Sequence, residues 1–301
     1  MSYRLDVVFS PLYECMASLH TMICRKSHKK VDLSSSWALT TRDRLTPELV
    51  AALDDMNVDE DWKCLYLLAS LSDEQEPEPF VRWLEAQTVQ SLARIFNSHD
   101  VPFPTEIPTF HSRMIYVLTA WNTQYFSQVD PLILTRLKEE ADRRQHDLQT
   151  LPQEKVLDDV TNGLMFRPVQ GLEKVILVPQ YHFQPLNVIY YFGNSLLCHY
   201  SSRLYLGDQD LFPTHSLRVI RSLGERNRLR ILRYLQHGPR SFIEIVRHLE
   251  LSKGITHDHI SKLRGAGLVY AHLEGENLVE YTLRRRALKQ VQHLLDEYIE
   301  G

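Results

Sequence analysis

No stretch of this 301-residue sequence approaches the roughly 20 consecutive apolar residues that a membrane-spanning helix requires. The longest apolar runs, such as LVPQYHF and NVIYYFG, end far short of it. The opening MSYRLDVVFSPLYECM has no basic segment followed by a long apolar run, so no secretory leader and no membrane partner are expected, and a cytoplasmic location is. Cysteine is scarce: Cys15, Cys24, Cys64 and Cys198 form no CxxC pair and no zinc-like spacing, which predicts reduced, mostly buried thiols. Signatures of catalysis are missing too. There is no P-loop, no GxGxxG after a strand, no GxSxG and no HExxH. No nucleophile stands at a readable spacing from a base, so neither an enzyme nor a cofactor is expected. Internal repeats and low-complexity segments are also absent.

What is present is unevenly distributed. From Pro213 onward 15 Lys and Arg stand against 10 Asp and Glu, while the rest of the chain holds 19 against 28. A basic C-terminal part on an acidic body suits one segment that meets a polyanion and another that does not. Hydrophobic residues at 44% and charged residues at 24% are ordinary for chains that bury cores, and the length points to about two domains.

The N-terminal half carries helical spacing. PLYECMASLHTMI places Leu12, Met16, Leu19 and Ile23 on one face, and Thr46-Pro47 predicts an N-cap followed by the first helical position. Asp130-Pro131 opens PLILTRLKEEADRRQHDLQTL, and Asn162-Gly163 stops a helix over PQEKVLDDVTNGL. The period then changes. LMFRPV, EKVILVPQ, LNVIYYFG and SLLCHYSSRLY are short runs rich in β-branched and aromatic residues, with Gly193-Asn194 as a hairpin turn. They predict an α+β fold: a helical N-terminal domain, residues 1–205, closed by a small antiparallel sheet. A join at 206–214 and a second domain over 215–301 follow.

The second domain has a compact order. HSLRVIRSLG and ERNRLRILRYLQHG read as helices, the latter with Leu229, Leu232 and Leu235 inward, its arginines mostly outward and Gly238 as its stop. FIEIVRHLEL is a short helix with Ile243, Val246 and Leu249 inward, and Ser252 caps a helix running through Arg264. Two strands, 268–273 and 278–283, flank a turn, and RRRALKQVQHLLDEYIE closes as an amphipathic helix. Three helices, a turn, a helix, a hairpin and a helix make the order of a winged helix–turn–helix, whose second turn-unit helix can enter a DNA major groove.

These residues resemble the DNA-binding domain of the ArsR/SmtB family of bacterial repressors. The likeness is carried by Asn227 to Leu232, Leu251-Ser252, His259-Ile260, Leu263-Arg264, Ala266-Gly267-Leu268-Val269 and Tyr281. YRLDVVFSPLYECMASL and EKVILVPQYHF resemble the domain that precedes the winged helix in some larger ArsR-like regulators. The resemblance implies a homodimeric transcriptional regulator, a repressor, bound to a palindromic operator in double-stranded DNA. It also implies an N-terminal domain that dimerises or senses a small-molecule effector. Two departures stand out. Asp258 puts a carboxylate where the groove is negative, which is unfavourable unless it accepts from a cytosine amino group or caps locally. Gly254 weakens the first turn of the recognition helix by about 1 kcal/mol relative to alanine.

The candidate DNA contacts are Arg228, Arg240, Ser252, Lys253, Thr256, His257, Asp258, Ser261, Lys262, Arg264 and Arg284. Lys253 has the strongest reason, since both its charge and the helix N-terminus favour a phosphate. Arg228 reads equally as a solvated helix position, Thr256 as core, and Arg284 as the start of the last helix. Adjacent His257 and His259 point to different sides of a helix and cannot chelate one ion. No metal site is expected, and a metal-responsive repressor would need unforeseen ligands such as His182 and His199. The other alternative is a protein–protein adaptor built on a winged-helix scaffold. In the N-terminal domain Trp121, Tyr125, Tyr181, Phe183 and Tyr191 are candidates for an effector pocket, and equally for core.

Overall fold

A computed structural model describes residues 3–99, 101, 104, 106–206 and 212–300. In chain order the elements are β1 (Arg4–Val7), α1 (Pro11–Ile23), α2 (Ser34–Arg42), α3 (Pro47–Asp54), α4 (Glu60–Leu71), α5 (Pro77–Glu85), α6 (Val89–Ser98), α7 (Ile107–Gln124), α8 (Pro131–Thr150), α9 (Gln153–Thr161) and β2 (Leu164–Phe166). They continue with β3 (Lys174–Gln180), β4 (Val188–Phe192), β5 (Ser195–Ser201), α10 (Thr214–Leu223), α11 (Arg226–Leu235), α12 (Phe242–Leu249), α13 (Lys253–Gly265), β6 (Val269–Glu274), β7 (Asn277–Leu283) and α14 (Arg285–Glu300). The class is α+β, with the expected C-terminal order of a winged helix–turn–helix.

The chain divides into two units, each threaded by two segments. The first is Tyr3–Gln149 with Gly171–Leu204, and the second is Thr150–Gln170 with the chain from Tyr205 on. This corrects the expected division at residue 205: α9 and β2 belong with the C-terminal helices. The expected join at 206–214 falls largely on residues 207–211, which lie outside the described residues.

In the first unit the local signals hold. Ser10 and Thr46 cap α1 and α3, their hydroxyls accepting from Tyr13 N and Leu49 N. Gly193 and Asn194 form the two-residue turn between β4 and β5, with Gly193 at φ 68°. The sheet does not follow the antiparallel expectation. Its order is β1-β3-β5-β4, with β1 parallel to β3, β3 parallel to β5, and only β4 antiparallel to β5. The reason lies in burial: β5 is buried over six of its seven residues, so its apolar run has no alternating face from which to read a partner. Helix α1 packs on β3 and α4 on β4. The core between them is aromatic-rich, with Trp62, Tyr66, Phe80, Phe96, Phe110 and Trp121 all buried.

In the second unit LMFRPV supplies β2, which pairs in parallel with β6, so the wing hairpin β6–β7 is the rest of a three-stranded sheet, β2-β6-β7. Asn162 ends α9 in the left-handed region (φ 61°), and Gly163 follows at φ 102°. Gly267, at φ 66°, lies against the Asn162 side chain; a Cβ there would fall 2.0 Å from Asn162 Oδ1. The helices bury Ile231, Leu232, Leu235, Ile245, Leu249, Ile260 and Leu263. Two expected inward positions, Leu229 and Ile243, are exposed instead, and Ile231 and Ile245 take their places.

Candidate nucleic-acid interface

The turn unit is fixed by local hydrogen bonds. The Ser241 hydroxyl accepts from Glu244 N, and the Glu244 carboxylate accepts from Ser241 N, a reciprocal cap on α12. Helix α12 ends at Glu250, which adopts φ 59°, and the chain turns through Leu251 to Ser252. The Ser252 hydroxyl then accepts from Ile255 N at 3.3 Å and opens α13. One face of α13 packs inward through Thr256, His259, Ile260 and Leu263. The opposite face presents Lys253, Gly254, His257, Asp258 and Lys262 to solvent, with Ser261 and Arg264 half-buried beside it.

Asp258 has a local partner. Lys262 Nζ donates to its carboxylate at 2.8 Å, one helical turn on. That hydrogen bond and the lysine charge hold the acid below the usual carboxylate range, against a smaller opposing effect of burial. The exposed face therefore offers a near-neutral pair in its middle and, at its N-terminal end, Lys253, for which the described residues include no ion pair. His257 points outward, its ring 6.3 Å from that of Phe242. His259 is buried, with Nδ1 3.4 Å from the Glu225 carboxylate but off the line of a hydrogen bond. The two histidines diverge.

Three expected surface contacts are corrected. Thr256 is fully buried in the core of the unit. Arg228 is buried, with Nε donating to Ser222 O at 2.7 Å and Nη2 to Arg221 O at 2.9 Å; it satisfies the last carbonyls of α10. Arg284 is buried at the root of the wing. Its Nε donates to Asp158 Oδ1 at 2.7 Å and its Nη1 to Gly267 O at 2.9 Å. Arg240 is half-buried, its guanidinium 4.7 Å from the centre of the Tyr234 ring and its backbone bridged to Tyr281.

Asp158, which sequence reasoning missed, gathers this region. Besides Arg284 it accepts from the Tyr270 hydroxyl at 3.1 Å, and Arg286 Nε lies 2.6 Å from its Oδ2 as an ion pair without hydrogen-bond alignment. Arg167, just past β2, ties to Glu274 and Glu280 on the hairpin. Nothing in the sequence around α9 signals these contacts. Arg228 is different, because positions 228, 231, 232 and 235 share one helical face, which places that arginine on the buried stripe.

In the first unit the aromatic candidates separate. Trp121 is core, donating from Nε1 to Ser18 Oγ at 2.9 Å, and Phe183 is buried with its ring edge-on to His20. Tyr191 lies half-buried on β4, paired in register with Leu196. Tyr125 and Tyr181 both line a cavity of about 310 Å³, together with Trp37 and His182. No group of three or more His, Cys, Asp or Glu side chains that could hold a metal ion occurs among the described residues. No described helix is long and apolar enough to cross a membrane.

Residues 225–271 match the family described as bacterial regulatory protein, arsR family. The matched segment runs from the cap of α11 through α12 and α13 into β6, so it coincides with the turn unit and the start of the wing. Neither a curated protein nor a solved structure matches the chain.

Proposed function

From the premise that residues 225–271 form an ArsR-type helix–turn–helix of a DNA-binding transcriptional regulator, we propose that the protein is a cytoplasmic, homodimeric repressor. It binds a palindromic operator and is released by a small-molecule effector held in the first unit. The observation that carries this reading is α13: its inner face is committed to the core, and its outer face is free at the end where Lys253 stands. A phosphate there meets both a lysine and the unpaired N–H groups of a helix start. Dimerisation is supported by α14, whose apolar stripe is only partly covered: Leu288, Val291, Leu294 and Leu295 are half-buried, and Tyr298, whose ring meets Phe212, and Ile299 keep 51% and 77% exposure. A two-fold pair of such units reads half-sites about 34 Å apart, one turn of duplex. Effector control then needs only different affinities for the two spacings of the reading heads.

Two substitutions on α13 test the contact face by fluorescence anisotropy on duplex DNA at several salt concentrations. Lys253→Ala is expected to lower the slope of log K against log salt by about 0.9, the release of one phosphate's counterions. Asp258→Asn removes a carboxylate from that face and frees Lys262, and is expected to tighten non-specific binding by about threefold or more. Unchanged slope and affinity in both variants would place the DNA on another surface.

A further inference from the structure

The cavity in the first unit has a definite construction. At its floor lies the ring of His182, which is 1% exposed. Around it stand Trp37, Tyr125 and Tyr181, with ring centres 5.9, 5.7 and 5.2 Å from the histidine and planes inclined to it by 57°, 76° and 86°. Trp37 and Tyr125 meet each other edge to face at 5.7 Å. Three steep aromatic walls on a flat floor thus bound a space of about 310 Å³, room for a molecule at the small end of ordinary ligands.

The hydrogen bonds around the floor run in one direction. Glu14, on α1 and 1% exposed, accepts from the backbone N–H groups of Tyr181 and His182 and from His182 Nδ1. With a proton on Nδ1, Nε2 is left as an acceptor, and the Tyr125 hydroxyl donates to it at 2.7 Å. Trp37 Nε1 in turn donates to the Tyr125 oxygen at 3.0 Å. The polar atoms of Trp37, Tyr125 and His182 are therefore committed to one another, so what these residues offer the cavity is ring surface rather than hydrogen bonds, although Tyr125 also lies against the Trp121 ring, with centres 4.6 Å apart.

Charge completes the picture. Burial raises the Tyr181 phenol above its usual range, and the carboxylates of Glu14, Asp32 and Asp130 raise it further. Asp130 lies on the cavity wall; one of its oxygens caps Leu132 N at the start of α8. Arg44 also lines the cavity; it and Asp130 are both exposed, so water and salt screen the two opposite charges alike. The buried carboxylate of Glu14 is screened far less. Aromatic faces backed by carboxylates attract positive charge, because the negative face of each ring quadrupole adds to the field of the acids.

We infer that this cavity binds an organic cation, a quaternary ammonium or protonated amine of about ten to fifteen heavy atoms, seated among Trp37, Tyr125 and Tyr181 with Asp130 at its edge. The inference rests on the proposed effector role for its regulatory meaning, but not for the binding itself.

The test uses the full chain and its own tryptophan fluorescence, with phenyltrimethylammonium, its neutral isostere tert-butylbenzene, and benzoate as probes. The cation is expected to bind at one site about tenfold or more tighter than either of the other two. Trp37→Ala is expected to weaken it about tenfold, with Tyr181→Leu as a second wall variant should the first not fold. Asp130→Asn, which can still cap α8, should weaken the cation severalfold and leave tert-butylbenzene unchanged. Equal binding of the neutral isostere, tighter binding of benzoate, or no saturable binding of the cation would overturn the inference. DNA affinity measured with the cation at saturation separates the two readings. A change supports both, whereas bound cation with unchanged DNA affinity upholds the site and overturns its role as the effector pocket.

Discussion

Asp158→Ala is expected to destabilise the second unit by about 3–5 kcal/mol, the range for removing one partner of a buried ion pair. Asp158 and Arg284 are 6% and 4% exposed, so the guanidinium left behind would have neither its carboxylate nor water. Arg284 also donates from Nη2 to the Asp158 carbonyl at 3.3 Å, which the substitution keeps but which cannot neutralise a charge. Amide exchange is the direct readout. Protection should fall along β6 and β7, beginning with Ala271, whose N–H donates to Gly163 O, and Arg284, whose N–H donates to Leu268 O. The double variant Asp158→Ala/Arg284→Met should recover most of the loss, because an apolar replacement of both partners leaves no buried charge. Unchanged exchange in the single variant would show that the pair contributes nothing.

Acidification should destabilise the first unit through two histidines. His20 and His199 are buried, and both are lowered to about 3, His20 by burial and His199 by burial together with its neighbour His20. The geometry agrees. His20 Nδ1 accepts from Trp62 Nε1 at 3.0 Å and faces the Tyr190 hydroxyl at 3.3 Å, so a proton there would set donor against donor. Neither ring nitrogen of His199 has a hydrogen-bond partner among the described residues. In the unfolded chain both groups titrate near 6.5. Between that value and about 3 the unfolded state binds more protons than the folded one, so stability falls as pH falls. The slope approaches about 1.4 kcal/mol per pH unit for each histidine well below pH 6.5, or roughly 4 kcal/mol for the pair between pH 7.5 and 5. Trp37, Trp62, Trp83 and Trp121 all lie in the first unit, so urea midpoints read by tryptophan fluorescence at pH 7.5 and 5 report on it alone. His199→Phe should remove about half of the histidine contribution. A midpoint that does not move with pH would contradict the burial of both rings in neutral form.

The helix–turn–helix was legible because its signals are local. Ser252 capping α13, the Asn162-Gly163 stop and the Gly193-Asn194 hairpin each depend on a few adjacent residues. Strand partners were not legible, since β3 and β5 are buried on both faces and an apolar run with no alternation specifies no neighbour. The same reasoning placed LMFRPV beside the strands that follow it, whereas its partner β6 lies about a hundred positions on. Charge misled in one direction: arginines in amphipathic runs look solvated, yet Arg228 and Arg284 each find carbonyls or a carboxylate inside. Asp258 was the opposite case, an acid that seemed to oppose DNA and is answered by Lys262 within its own helix. At the cavity, Tyr125 and Tyr181 were named from aromatic density. Trp37 was missed because its meeting with them depends on a contact across 88 positions.

The interleaving of the two units also bears on how such a protein can be rearranged. A reading head that begins and ends within one stretch of chain can be lifted out and grafted elsewhere as a cassette. This one cannot: cutting at residue 205 would leave β6 with a bare edge, strip Arg284 of Asp158, and remove the Asn162 side chain packed over Gly267. Recombination that exchanged the first unit for another domain would have to carry Thr150–Gln170 with the second unit, not with the first. The natural seams for swapping lie on either side of that insert, at residues 149–150 and 170–171.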